Sequence, residues 1–104
     1  MEQALLVHLM LSQGEHGSAD ERERISALEG KVEQAINSAS AGEFDGSEFG
    51  GGECTLYMYG PDADALFDAV APVLKLSPIA AGGYAIKRYG AAADPKASEA
   101  HVSW

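Results

Sequence analysis

Residues 43–60 read EFDGSEFGGGECTLYMYG, and this stretch predicts a β-hairpin. The triple glycine at 50–52 supplies the turn between the two strands. Phe44 and Phe49 have opposite parity in the first strand, so we expect a bulge near residues 45–46 to bring both to one face. The second strand alternates between an apolar set and a hydroxyl-bearing set: Cys54, Leu56 and Met58 against Thr55, Tyr57 and Tyr59.

A strand and a helix are predicted on each side of this hairpin. Residues 4–11 are apolar at both parities, which indicates a buried central strand. Ser18 and Glu21 have the spacing of a capping box, and apolar residues then recur at helical intervals. After the hairpin, residues 60–62 predict a sharp turn into a second helix, and residues 84–89 a last strand.

The order of these elements is strand, helix, strand, repeated twice. This βαββαβ order is the signature of a ferredoxin-like plait, an α+β fold. We expect a four-stranded antiparallel sheet in the order 4-1-3-2, with both helices on one face and the second and fourth strands at the edges. Residues 1–90 form a single domain in this interpretation, and residues 91–104 form a tail. The tail is either a short extra strand or an anchor through Trp104.

The chain is strongly acidic, and its acidity is uneven. It has 16 acidic and 7 basic residues, for a formal net charge of -9, and residues 1–60 hold 11 of the acids but only 3 of the bases. This balance argues against nucleic-acid binding, which needs a basic surface. No apolar run is long enough to span a membrane, and the single Cys54 excludes a disulfide framework or a multi-cysteine zinc site. We expect a cytoplasmic protein without a metal or cofactor.

The hairpin is the most acidic part of the sequence. No Lys or Arg lies between residues 43 and 53. Charge on an outer strand can protect a sheet edge from pairing with other chains. It can also form a docking surface that steers a basic partner. The candidate partner-binding residues are Glu43, Asp45, Glu48 and Glu53.

The sheet face that turns away from the helices is the second candidate. We expect it to carry His8, Met10, Tyr57 and Tyr59, a set too apolar to be left in water without a reason. We expect the chain to form a homodimer. The face is then covered by self-association or by the tail and Trp104, and the alternative is a ligand or partner groove. Parity leaves the fourth strand open: it presents either Tyr84, Ile86 and Arg88 or Ala85, Lys87 and Tyr89.

The run from Gly42 to Phe67 resembles small uncharacterised bacterial proteins of the ferredoxin-like type. It is also distantly similar to the regulators of ribonuclease E activity, subtype B. The acidity and the short strand turn at Asp45-Gly46 carry this resemblance, which covers about a quarter of the chain. It implies an acidic, non-catalytic binder of another protein.

The sequence therefore predicts a protein-interaction or regulatory module, such as an inhibitor of a basic protein, with no catalytic residues. The alternative is a small-molecule binder or minor enzyme on the open face, with His8 as base or hydrogen-bond partner between Tyr57 and Tyr59. A histidine acts as a base only with a carboxylate or nucleophile nearby. A purely structural subunit is the third interpretation.

Overall fold

A computed structural model describes residues 2–104 as an α+β fold. Within these residues, two helices pack on a five-stranded antiparallel sheet in the order β2-β3-β1-β4-β5. A short 3-10 helix, Pro78–Ala80, precedes β4. The elements are β1 (Gln3–Met10), α1 (Ala19–Ala39), β2 (Glu43–Gly50), β3 (Glu53–Gly60), α2 (Ala63–Lys75), β4 (Tyr84–Arg88) and β5 (Glu99–Val102).

The predicted order of the first four strands is confirmed, but the prediction of four strands is wrong. β5 pairs with β4 through residues 99–102, so the edges of the sheet are β2 and β5. The segment that joins β4 to β5 turns at 91–98, and the Tyr89 N–H donates to Ser98 O at 2.9 Å just before β5. The physical reason for the fifth strand is that β4 would otherwise leave a row of backbone groups unpaired.

The helices begin where the sequence predicts. Ser18 accepts a hydrogen bond from Glu21 N, and the Glu21 carboxylate accepts one from Ser18 N, so the capping box is confirmed. Glu21 also accepts from Ser12 N at 2.8 Å, which ties the loop before α1 to its first turn. These backbone hydrogen bonds, first from Ser12 and then from Ser18, lower the pKa of Glu21. Asp62 caps α2 by accepting from the backbone of Asp64 and Ala65.

The hydrophobic core lies between the helices and the inner face of the sheet. Alternate residues of β1 and β3 are fully buried there, and the apolar stripes of both helices cover them. The bulge in β2 is confirmed: the register shifts between Phe44 and Gly46, so Phe44 and Phe49 both pack against this core. The main buried side chains are Leu5, Val7, Leu9, Ile25, Val32, Ile36, Cys54, Leu56, Met58, Leu66, Val70 and Leu74.

The register of β4 decides which of its residues face the core. Ala85 pairs with Val7 and is fully buried, and Lys87 pairs with Leu5. Of the two sets left open by parity, Tyr84, Ile86 and Arg88 are therefore the outward one. Of the two helices in residues 2–104, neither is long and apolar enough to cross a membrane.

Candidate functional site

The open sheet face is the side of the sheet that points away from the helices, and the strand register defines its residues. Residues that pair across antiparallel strands point to the same side, so each row of partners can be followed from edge to edge. A short row, Gly50–Glu53–Met10, lies at one end of the face, and three longer rows cross it. The longer rows are Glu43–Tyr59–Ala4–Arg88–Glu99, Gly46–Tyr57–Leu6–Ile86–His101, and Glu48–Thr55–His8–Tyr84.

The two sets of candidate residues that the sequence treats separately lie on this one face. Glu43 pairs with Tyr59, Glu48 with Thr55, and Glu53 with Met10, so three hairpin carboxylates share the surface of the candidate tyrosines and His8. Asp45 is different, because it occupies the bulge of the edge strand and has no partner in the register. The sequence holds the signal that joins the two sets: a bulge that turns Phe44 and Phe49 toward the core turns Glu43 and Glu48 away from it. Glu53 also has the parity of the outward residues of β3.

Carboxylates stand at both edges of the open sheet face. Glu43 and Glu48 lie on β2, and Glu99 lies on β5 at the far end of the first row. With strands about 4.8 Å apart, four spacings separate these edges by about 19 Å. Arg88 is the basic residue of that row, and its Nε donates to Gly90 O at 2.9 Å. The face therefore has an aromatic and apolar centre and an acidic β2 edge, and at the β5 edge a single carboxylate lies beside Arg88.

The centre of the face is built from stacked rings. The His8 and Tyr84 rings stack at 4.7 Å between centroids, and Tyr84 and His101 stack at 5.9 Å. Stacked rings of this kind stabilise each other by more than the area that they bury would account for. Tyr84 was one of two open alternatives in the sequence, whereas His101 was not predicted. The alternation of Glu99, Ala100, His101 and Val102 is the signal that could have placed it.

Tyr57 links the aromatic centre to the acidic edge. Its hydroxyl donates to Glu48 Oε2 at 3.5 Å across neighbouring strands. Desolvation, followed by the negative charge of Glu48, raises the pKa of the Tyr57 phenol. An ordinary tyrosine phenol is already a hydrogen-bond donor at neutral pH, and the raised pKa extends this protonated state further into the alkaline range.

His8 is arranged as a packed side chain rather than as an accessible base. Its Nδ1 lies 3.2 Å from Thr55 Oγ1 and 3.8 Å from Glu53 Oε1. Its Nε2 is shielded from solvent and has no hydrogen-bond partner among residues 2–104. The carboxylate that a catalytic histidine needs is present, but neither ring nitrogen is presented to a substrate in this arrangement.

The remaining reactive groups lie away from the open sheet face. Cys54 is buried on the inner face, where desolvation raises the pKa of its thiol to about 11, so the reactive thiolate is disfavoured. Within residues 2–104, no group of three His, Cys, Asp or Glu side chains is placed to hold a metal ion.

The tail does not lie over Tyr57 and Tyr59. β5 adds to the far side of β4, so β1 and β4 separate it from the strand of these tyrosines. Trp104 follows the inward parity of Val102, packs against the core, and donates from Nε1 to Ala80 O at 3.1 Å. Both forms of the tail that the sequence left open, the extra strand and the anchoring tryptophan, are therefore present together.

No family model, no curated protein and no solved structure matches this chain.

Proposed function

We propose that this chain is a non-catalytic, cytoplasmic interaction module that docks onto a basic protein through the open sheet face. The observation that carries the proposal is the meeting of the hairpin carboxylates and the tyrosines on one surface. We also propose that the fold is a ferredoxin-like plait extended by β5. The resemblance to acidic regulators of ribonuclease E activity points to the same class of function.

The face offers two kinds of contact to a basic partner. Tyr57 and Tyr59 present rings over which a Lys or Arg side chain can lie, with cation–π attraction. The surrounding carboxylates would raise the association rate through electrostatic steering, which falls with increasing salt. The aromatic centre would then supply the contacts that are desolvated on binding.

The expected homodimer is compatible with this proposal only if it uses another surface. A twofold contact through the open sheet face would enclose two copies each of Glu43, Glu48, Glu53 and Glu99, but only two copies of Arg88 as opposing charge. Like charges placed opposite each other disfavour such an interface. The small-molecule alternative has no comparable support, since both nitrogens of His8 are engaged or shielded.

The test is affinity capture with the full chain as bait and a charge-depleted variant beside it. The variant carries Glu43→Gln, Asp45→Asn, Glu48→Gln and Glu53→Gln, all on the hairpin. A captured basic protein is then titrated against both baits at rising salt by calorimetry. We expect the wild-type affinity to fall with salt and the variant to lose most of the binding, because the steering carboxylates are gone.

A matched control separates this surface from overall charge. Glu15→Gln, Glu23→Gln, Glu29→Gln and Glu33→Gln remove the same four charges from the loop before α1 and from α1 itself. We expect the control to retain the partner. A partner that binds the hairpin variant as tightly as wild type would refute the proposal.

A further inference from the structure

A groove on the helical side of the molecule differs in charge from the open sheet face. It lies between α1 and the segment that follows α2, has a volume of about 300 Å³, and is open to solvent. Its lining combines an apolar floor with basic side chains: Arg24, Ala27, Leu28, Lys31, Leu76, Ser77, Pro78 and Ile79.

Leu76 is the most unusual residue of this groove. It caps the C-terminus of α2 and is 85% exposed, although the leucines of the core are almost completely buried. A second groove runs along its other side, lined by Lys75, Pro78 and Trp104 among others. Leu76 and Pro78 therefore form an apolar ridge between two concave surfaces. A single exposed leucine is ordinary, but one flanked by grooves on both sides offers a place for a second apolar side chain to pack.

The charge around this ridge is opposite to that of the chain. Arg24 and Lys31 line the first groove, Lys75 lines the second, and no acidic residue is among the lining residues of either. Three of the seven basic residues of a chain with net charge -9 are thus placed here. Arg24 is held by Asp20 of its own helix at 2.9 Å, whereas Lys31 and Lys75 are exposed beside the ridge.

We propose that these two grooves bind an acidic peptide segment that carries a bulky apolar side chain. The apolar side chain would pack beside Leu76, and the carboxylates would lie near Lys31 and Lys75. An anionic membrane fits less well, because its extended surface would also meet the acidic surroundings of the grooves, whereas a short segment contacts only their lining, which holds no acidic residue. A small molecule fits less well, because such ligands bind where most of their surface is enclosed. The proposal is independent of the acidic surface on the other side of the molecule.

The test begins with selection of short displayed peptides of random sequence against the full chain. We expect enrichment of peptides with several acidic residues and one large apolar residue. A synthetic peptide from that set is then titrated by fluorescence anisotropy against wild type, Leu76→Ser and Lys31→Glu. Both positions are exposed, so both variants should fold, and urea unfolding checks this. We expect each substitution to weaken binding about tenfold or more, which corresponds to about 1.4 kcal/mol.

Two controls locate the binding site. Lys96→Glu reverses a charge in the loop before β5 and should leave peptide affinity unchanged. The hairpin variant with four amides should also retain the peptide, so the failure of one proposal is distinguishable from the failure of the other.

Several results would overturn the assignment. The peptide selection could yield no binder, or binders that are not enriched in acidic residues. Alternatively, Leu76→Ser and Lys31→Glu could leave the affinity for the selected peptide unchanged. Two others assign a different occupant. One is co-sedimentation with phosphatidylglycerol vesicles that Leu76→Ser abolishes. The other is a dimer in sedimentation equilibrium that Leu76→Ser converts to a monomer.

Discussion

The two faces of the sheet are made from alternate residues of the same strands, yet they differ in burial and in chemistry. In β1, Leu5 and Val7 on the inner face are fully buried, whereas Leu6 and His8 on the outer face are partly exposed. In β3, the inner residues are wholly apolar and the outer residues all bear a hydroxyl or a carboxylate. The period of two thus separates a buried surface that holds the fold together from a partly exposed one, on which we propose that the partner binds.

This contrast shows which face the stability of the fold depends on. Hydrophobic stabilisation scales with the apolar area that folding removes from water, and the side chains of the inner face lose nearly all of their exposed area. The outer face keeps large aromatic side chains that contribute less to folding because they remain partly in water. Substitutions on the inner face should therefore change stability, and substitutions on the outer face should mainly change binding.

The largest expected effect comes from Leu56→Ala on the inner face. Leu56 is fully buried, so its truncation should lower the free energy of unfolding by about 2–5 kcal/mol through lost burial and a cavity. The matched variant is Thr55→Val on the neighbouring outward position, which removes the contact with His8 and should cost about 1 kcal/mol. Urea unfolding measures both. Equal losses at the two positions would contradict the contrast between the faces.

The sequence predicted the inner face well because the signals there are local. The alternation of residues 53–59, the stripe of α1 and the Ser18–Glu21 capping box each depend on a few neighbouring residues. The bulge near residue 45 was also predictable, because Phe44 and Phe49 could reach the core together only if the parity changed.

The outer face was harder to predict because its composition depends on pairing between distant strands. The direction of Tyr84 follows from its pairing with His8, about 76 positions earlier in the chain, which no local pattern encodes. β5 is only four residues long, so its alternation was too short to decide between a strand and a loop. His101 and Glu99 were missed for this reason.

An effect of intermediate size on stability is expected at Asp64, which lies in the first turn of α2 and contacts residues at the end of β4. Asp64 accepts a hydrogen bond from Tyr89 at 2.7 Å and pairs with Lys87 at 3.0 Å, and these contacts lower its pKa. The unfolded carboxyl titrates near pH 4, at about 3.9. The Asp64 carboxylate therefore contributes stability above that pH, and the contribution is lost as the pH falls through the folded pKa.

Asp64→Asn tests this dependence. Urea unfolding between neutral pH and about pH 2 should show a smaller loss of stability on acidification than in wild type, because one linked carboxylate has been removed. Glu21→Gln should act in the same direction, since the pKa of Glu21 is also lowered. If the free energy of unfolding falls with acidification as steeply in Asp64→Asn as in wild type, the contacts with Tyr89 and Lys87 do not stabilise the folded state.

The smallest expected effect lies on the outer face and involves Tyr57. Its pKa is raised first by desolvation and then by Glu48, so the protonated phenol is favoured in the folded state. Its contribution to stability is present below about pH 10, the unfolded value, and is lost as the pH rises through the folded pKa. Glu48→Gln should lower the Tyr57 pKa toward its ordinary value while leaving the part due to desolvation.

Ring-carbon NMR of labelled tyrosine follows this phenol individually, and Glu43→Gln is the matched control on the same strand. Glu43 pairs with Tyr59 rather than Tyr57, so the control should leave the Tyr57 midpoint in place. A midpoint that moves only in Glu48→Gln would mean that the acidic edge and the aromatic centre are coupled through this contact. A midpoint that moves in neither would mean that desolvation alone acts on Tyr57. The two parts of the open sheet face would then contribute to binding separately.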